Sequence, residues 1–480
     1  MKKFLFYIIV SLSVVCTLDS CKKEKNPAPK PQSSEISVRQ PEAYPAEGGE
    51  FSIRYSIENP KEGASLEVST GDKWITGLKA NEKEISFSLE TNDTGDERTG
   101  SIDLSYEGAE PAKITIRQKT PVYQPVDENG TANCYIVSGP GNYKFAAVKG
   151  NGSEAVGTVA TVEVLWETFG TSATPNKGDL IAEVSYDNAK KAVRFTTAAE
   201  FRKGNALIAA KDASGKILWS WHIWMTDKPE DQAYNNGAGT MLDRNLGATS
   251  TTPGDAGALG LLYQWGRKDP FMGASDIAEG ATTQAASTIG TWPEPVVSDE
   301  AKGTIDYAVS NPVTFILENE NNHDWYYTGS KETDNTRWKS SKTIYDPCPA
   351  GYRVPDGGYN GYDGFWAKAF GENRNFKDEG GFDSANKGFN FGSSGKGNAK
   401  LSNSASTCWY PAAGFLYCFD GSLYDGSLDK VLTSGYCWSC SPYDITTVYV
   451  LGFGSGDSIL PSFKNFRAYG YSVRCQRISY

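Results

Sequence analysis

Histidine and methionine are scarce in this chain. There are two His, His222 and His323, and four Met among 480 residues. Two imidazoles about a hundred positions apart offer little to a His-based zinc site or a His-centred triad. No GxSxG, HExxH or phosphate-cradling Gly loop is present. A glycosidase needs two carboxylates at a fixed separation, and no pair stands out among 58 acidic residues. The reading is therefore of a protein that is not an enzyme and takes no metal or cofactor. Basic residues are in deficit: 47 Lys and Arg against 58 Asp and Glu, a net charge of −11. That excludes a nucleic-acid partner, because phosphate binding needs a basic surface. After the first residues no apolar run approaches the roughly 20 residues that span a bilayer.

The N-terminus is different. Lys2 and Lys3 precede an almost wholly apolar run, Phe4 to Val15, that is too short to span. Positive charge, a short apolar run and a small residue before a cleavage point describe a signal peptide. The run ends in Leu18-Asp19-Ser20-Cys21, which resembles a bacterial lipobox, with Asp19 departing from the usual small or apolar residue. The resemblance implies that residues 1–20 are removed and that Cys21 carries a lipid anchoring the chain to a membrane, here the outer membrane. The Lys-Lys-Glu-Lys that follows leaves the surface and periplasmic faces both open. Residues 21–34 are rich in Lys, Pro and Ser without an apolar period and read as a linker.

Export permits disulfides. With Cys16 in the signal and Cys21 lipidated, seven cysteines remain: Cys134, Cys348, Cys408, Cys418, Cys437, Cys440 and Cys475. Seven is odd, so at least one thiol stays free or pairs between chains. Cys437 and Cys440 have CxxC spacing but no βαβ context and no second ligand pair. Cys408 and Cys418 flank two aromatic runs and are candidates to staple a hairpin.

Gly (50), Tyr (26) and Trp (12) are plentiful, and short alternating segments separated by turn clusters point to a mainly β, multidomain protein. Residues 35–120 form the first domain. Ile85 to Leu89, Ser101 to Tyr106 and Lys113 to Arg117 alternate apolar and polar residues, as half-buried antiparallel strands do. A domain of this size with such strands is an Ig-like β-sandwich. Lys73-Trp74-Ile75-Thr76, Asn92, Arg98-Thr99-Gly100-Ser101-Ile102 and Ile114 to Gln118 resemble the BACON domain. That family was proposed to bind carbohydrate and also serves as a spacer; Trp74 is read as core, and the domain as a spacer.

Residues 121–227 are read as a second sandwich-like domain. In Lys216 to Met225, Ile217, Trp219, Trp221, Ile223 and Met225 share one face, with Ser220 and His222 on the other. Trp224 is on the polar face and is the candidate for an interface with the next segment.

Residues 228–480 carry Gly239 to Leu246, Leu261 to Arg267, Asp346-Pro-Cys-Pro-Ala-Gly-Tyr-Arg-Val-Pro355, a short helix over Gly364 to Phe370, Tyr436 to Pro442, and a closing Gly470 to Arg477. In this order they resemble the Fibrobacter major paralogous domain family. The resemblance implies a loop-rich α+β, C-type lectin-like domain pinned by disulfides, and it supports a Cys348–Cys475 bridge. The EPN, QPD and WND strings of calcium-dependent lectins are absent. Loop aromatics remain as ligand-binding candidates: Trp409, Tyr410, Tyr417, Tyr424 and Trp438. The expectation is a cell-envelope lipoprotein, a binding or adhesion module for glycan or protein ligands. The alternatives are a structural or accessory fimbrial component and, behind it, a polysaccharide hydrolase.

Overall fold

The computed structural model describes residues 33–479, apart from 93, 128, 276–285, 288–290, 359–363, 371–380, 392–407, 423–432 and 457. Cys21 and the linker therefore lie outside the described residues. The protein is a mainly β, multidomain chain of β-sandwich type. It divides into two compact units, residues 1–121 and 122–480.

The first unit is a seven-stranded, Ig-like sandwich. Its strands are β1 (Glu35–Val38), β2 (Gly49–Glu58), β3 (Glu67–Ser69), β4 (Ile75–Ala80), β5 (Glu84–Leu89), β6 (Arg98–Ser105) and β7 (Ala112–Gln118). One sheet has the order β1-β2-β5-β4 and the other β3-β6-β7. Period-two alternation drives the packing: Ile85, Phe87 and Leu89 meet Ile102, Leu104, Ile114 and Ile116 in one core. The residues that carry the BACON resemblance have structural work. Trp74 packs on this core and is covered by the Arg98 guanidinium, 4.4 Å from its ring centroid. Gly100 lies beneath Trp74, where a Cβ would sit 2.6 Å from the indole. Asn92 is buried and its amide donates to the carbonyls of Asp96 (2.8 Å) and Lys119 (2.9 Å). Gln118 donates to Glu90 O at 2.9 Å. Buried amides of this kind tie loops together where no strand can.

In the second unit, a five-stranded sheet sets Ala286–Ser287, Thr161–Thr168, Gly204–Lys211, Ile217–Met225 and Cys134–Val137 side by side. It packs on a four-stranded sheet containing Asn142–Ala146, Ile181–Asp187 and Ala192–Thr197. Trp219, Trp221, Ile223 and Met225 fill the space between them with Phe145, Val193 and Phe195. Ile217 does not share that face. The register shifts opposite it, between Ala210 and Lys211, and such a bulge turns the side chain to the other cluster.

The opposite face of this sheet is covered by the C-terminal region. Trp224 is fully buried there among Leu242, Leu246, Trp265 and Val473, and its indole donates to Ala248 O at 2.9 Å. Segments 121–227 and 228–480 thus share one core. Among its described residues the C-terminal region has a five-stranded sheet (Leu262–Gln264, Gly470–Ser472, Ser434–Pro442, Thr447–Gly454, Ser458–Phe466), several smaller sheets and two six-residue helices, Ile305–Ser310 and Phe365–Phe370. No helix among the described residues is long and apolar enough to cross a membrane.

His222 sits in that shared core. Its Nε2 is 2.9 Å from Asn205 Oδ1, and Nδ1 is 3.4 Å from the Tyr263 hydroxyl. Burial pushes its pKa down to about 3. The unfolded value is about 6.5, so below that pH the unfolded chain binds a proton that the folded chain refuses. This contribution to stability is complete above about pH 6.5 and is lost as the pH falls towards 3, by up to about 1.4 kcal/mol per unit. Urea unfolding of the second unit between about pH 7 and pH 4 is expected to show that slope. The His222→Gln variant is expected to flatten it; an unchanged slope would remove His222 as its source.

Candidate functional site

Where the terminal strand returns to the middle of the chain, the second unit has a groove of about 1210 Å³. Its charged and aromatic walls are Asp127, Lys228, Glu230, Asp231, Tyr352 and Arg477, with Ile136, Leu242 and Ala350 among its apolar ones. A concave site with a few converging polar groups is the usual form of a ligand pocket.

A small sheet positions these groups, in the order Asp231–Tyr234, Gly239–Leu242, Gln476–Arg477, Tyr352–Arg353. Tyr352 lies directly opposite Arg477 in the antiparallel register. Both reach Asp231: the Tyr352 hydroxyl donates to Oδ1 at 2.7 Å, and the Arg477 guanidinium pairs with Oδ2. Burial, with the Asp231 carboxylate adding to it, pushes the Tyr352 phenol up. Tyr352 therefore stays protonated and keeps donating. Charge-assisted bonds of this kind are short and directional.

The other wall is the turn Pro349-Ala350-Gly351, and four devices hold it. Lys342, half-buried and with its pKa lowered by desolvation, donates from Nζ to the carbonyls of Cys348 (3.0 Å), Pro349 (2.7 Å) and Tyr352 (2.5 Å). Asp346 accepts the backbone N–H groups of Cys348 and Val354, each at 2.9 Å. Gly351 takes φ +80°, a left-handed conformation that favours glycine. The fourth device is the Cys348–Cys475 disulfide, which ties this turn to the terminal segment across 127 residues of sequence. This is the bridge that the family resemblance implied.

The other cysteine candidates need correction. Cys408 and Cys418 are free thiols in different clusters. Cys408 Sγ lies 2.7 Å from the Tyr234 hydroxyl, and burial raises the thiol to about 11. Cys418 Sγ faces Glu318 Oε2 at 3.8 Å, and burial raises its pKa as well. Cys437 and Cys440 are also unbonded. Positions three apart on a strand point to opposite faces, and these two enter different cores. Every free thiol among the described residues is buried, so none is displayed for pairing between chains.

The aromatic candidates also need correction. Tyr410 and Trp438 are 0% exposed and Trp409 3%. Trp438 donates to Tyr263 O at 2.6 Å, and Tyr410 shares its hydroxyl with Tyr234 at 2.8 Å beneath the Arg474 guanidinium. These rings are core and cannot meet a sugar face. Tyr417 is half-buried against Tyr469 and Phe419, with ring centroids 5.8 and 5.0 Å away. Tyr424 lies outside the described residues. Among the described residues no three His, Cys, Asp or Glu side chains gather as a metal site would require.

The groove residues escape a linear reading because each has its partners far away in sequence. A signal was nonetheless present: Tyr352 and Arg477 belong to the Asp346–Pro355 and Gly470–Arg477 elements that carry the family resemblance.

No family model matches the chain, and no curated protein matches it. Solved structures similar to it include a Bacteroides ovatus GH5 xyloglucanase in complex with a XXXG heptasaccharide, with a TM-score of 0.16, 19% identity and coverage of 32% of this chain. The chain spans 29% of that xyloglucanase. Titin Ig tandem domains (TM-score 0.17, 9% identity, 41% of this chain and 100% of that one) and the DIP-gamma Ig tandem (0.17, 10%, 41% and 98%) are also similar. At these TM-scores nothing about the chain is argued from them.

Removing the disulfide tests the groove wall. In the chain-entropy account a bridge closing a loop of this length contributes about 5 kcal/mol. The Cys475→Ser variant is expected to lose that order of stability in the second unit, measured by guanidinium unfolding. A loss below about 1 kcal/mol would mean that Lys342 and Asp346 hold the turn alone.

Proposed function

We propose that the protein is a cell-envelope binding lipoprotein, anchored through Cys21 and holding a glycan or surface-protein ligand in the groove beside the disulfide. The observation that carries this reading is the groove itself. It has the size of a ligand pocket, a preset triad of Tyr352, Asp231 and Arg477, and a wall fixed by Lys342 and the bridge. Sites built on rigid supports bind with less ordering cost. Their directed donors and acceptors suit hydroxyl-rich or peptide ligands, with no covalent step. The resemblances to BACON and major paralogous domains support the same reading, with the first sandwich as a spacer. The alternative is a structural or accessory fimbrial component; the free thiols among the described residues are buried and add nothing towards it.

Two measurements test the proposal. Cys21→Ser is expected to abolish acyl labelling and to release the protein from membranes, since several acyl chains give the anchoring; continued membrane retention would remove the anchor. Screening the purified protein on glycan arrays and against surface extracts is expected to yield a ligand that Glu230→Gln and Tyr352→Phe each weaken about tenfold, or about 1.4 kcal/mol. Variants that bind like the parent would take the ligand out of the groove. Proteolysis of intact cells then assigns the face: cleavage without lysis means display at the surface.

A further inference from the structure

The groove is lined by more than side chains, because the open edge of a sheet runs into it. Cys134–Val137 is the last strand of the five-stranded sheet and pairs, in parallel, with Ile217–Met225 on one side only. Asn133 O accepts the His222 N–H at 2.8 Å, and Val137 O accepts that of Thr226 at 3.0 Å. Alternate residues of a strand turn their backbone groups to opposite sides. Asn133, Tyr135 and Val137 therefore face the sheet, and Cys134, Ile136 and Ser138 face away from it.

This outward edge is covered at one end and open at the other. Cys134 is fully buried, and the neighbouring Asn133 amide ties the chain to the 344–346 segment by donating to Ile344 O (2.7 Å) and Asp346 O (2.9 Å). Ile136 is half-buried and Ser138 exposed, and both line the groove. Among the described residues no partner meets the outward N–H and C=O of Ile136 or the N–H of Ser138.

Unpaired edges are hazards that proteins cover, bulge or charge. Here the edge opens into a concavity that already holds apolar surface from Val126, Leu242 and Ala350. A donor, an acceptor and a second donor in line are what an extended peptide pairs with, while its alternate side chains enter pockets beside the edge. The charge of the groove gives a second constraint. Asp231 is engaged by Tyr352 and Arg477. Of the remaining charges among the described lining residues, Asp127 and Glu230 outnumber Lys228.

We propose that the groove takes an extended peptide segment of a partner protein, added as a strand along residues 136–138 and carrying a Lys or Arg towards Asp127 and Glu230. This rests on the reading of the groove as the binding site and narrows its ligand to a basic strand. The strand donates to Ile136 O and accepts from the N–H groups of Ile136 and Ser138. Its basic side chain meets the two carboxylates that no ion pair occupies.

A positional-scanning library of acetylated, amidated heptapeptides, read by fluorescence polarisation with the full protein, tests this. Bound peptides are expected to favour Lys or Arg at one position and to weaken about tenfold or more when Glu replaces it. N-methylation of alternate amides in the best peptide is expected to abolish binding in one register and spare it in the other, because only one set of N–H groups faces the edge. Ser138→Pro removes an outward N–H without touching the ladder, a place where edges tolerate proline, and is expected to cut affinity about tenfold or more. Glu230→Lys is expected to erase the basic preference. The proposal is overturned if no peptide binds, if the two N-methylated registers behave alike, if Ser138→Pro binds like the parent, or if the basic preference survives Glu230→Lys. A glycan weakened by Glu230→Gln and Tyr352→Phe, with no peptide bound, overturns the strand and leaves the groove reading standing. If no peptide, glycan or surface extract engages the groove, both readings fall.

Discussion

The C-terminal region depends on one buried carboxylate. Asp324 has no solvent exposure and meets the Arg337 guanidinium at both oxygens, with Arg467 3.8 Å away. The two guanidiniums lie against the indole of Trp265 at 5.0 and 4.8 Å, and Arg337 also faces Trp325 at 4.7 Å. Trp325 donates to Trp265 O at 2.7 Å, and Trp265 donates to Ser439 O at 2.9 Å. Segments 265–267, 324–326, 337, 439 and 467 are thereby locked into one knot. Burying three charges is costly, and the attraction among them offsets it only in a well-formed geometry. Any arrangement that separates Asp324 from its partners strands two cations in the core. The knot therefore acts as a specificity device.

Buried cations recur in this region for a common reason. Irregular backbone leaves carbonyls without ladder partners, and buried carbonyls must be satisfied. Arg and Lys supply several donors each from one side chain. Arg267 serves the carbonyls of Thr314, Asn311 and Ala308. Buried Lys268 donates to Ser220 O and to Asp269, and half-buried Lys342 serves three carbonyls in the groove wall. In a loop-rich fold these side chains do what sheet ladders do elsewhere.

That substitution explains which parts of the chain were legible. In the first unit the strands are half-buried, so Ile85-Phe87-Leu89, Ile102-Leu104 and Ile114-Ile116 declare their inner face by alternation. The strand ending at Met225 was readable over Trp219 to Met225 and failed only at Ile217, where a bulge reverses the face. In the C-terminal region Cys408–Pro411 is buried at every position and Thr447–Gly454 at nearly every one. Strands buried on both sides carry no period-two signal. Trp409, Tyr410 and Trp438 then look in sequence like displayed aromatics although they are core. Likewise, Arg337, Arg467 and Arg474 look like solvated charges although they are interior. The Cys348–Cys475 pair was legible through family resemblance; spacing alone could not have chosen it among seven cysteines.

The same contrast bears on where function resides. In the regular sandwich of the first unit, Trp74, Asn92, Arg98, Gly100 and Gln118 are absorbed by packing and loop closure. In the second unit the polar side chains do more than the fold requires. Arg477 and Tyr352 converge on one carboxylate at the rim of a cavity. They sit on elements made rigid by Lys342 and the disulfide. Preorganisation by interior electrostatics lets irregular loops present fixed geometry to a ligand. In such a fold, the buried cations are the place to start when searching for the surface that binds.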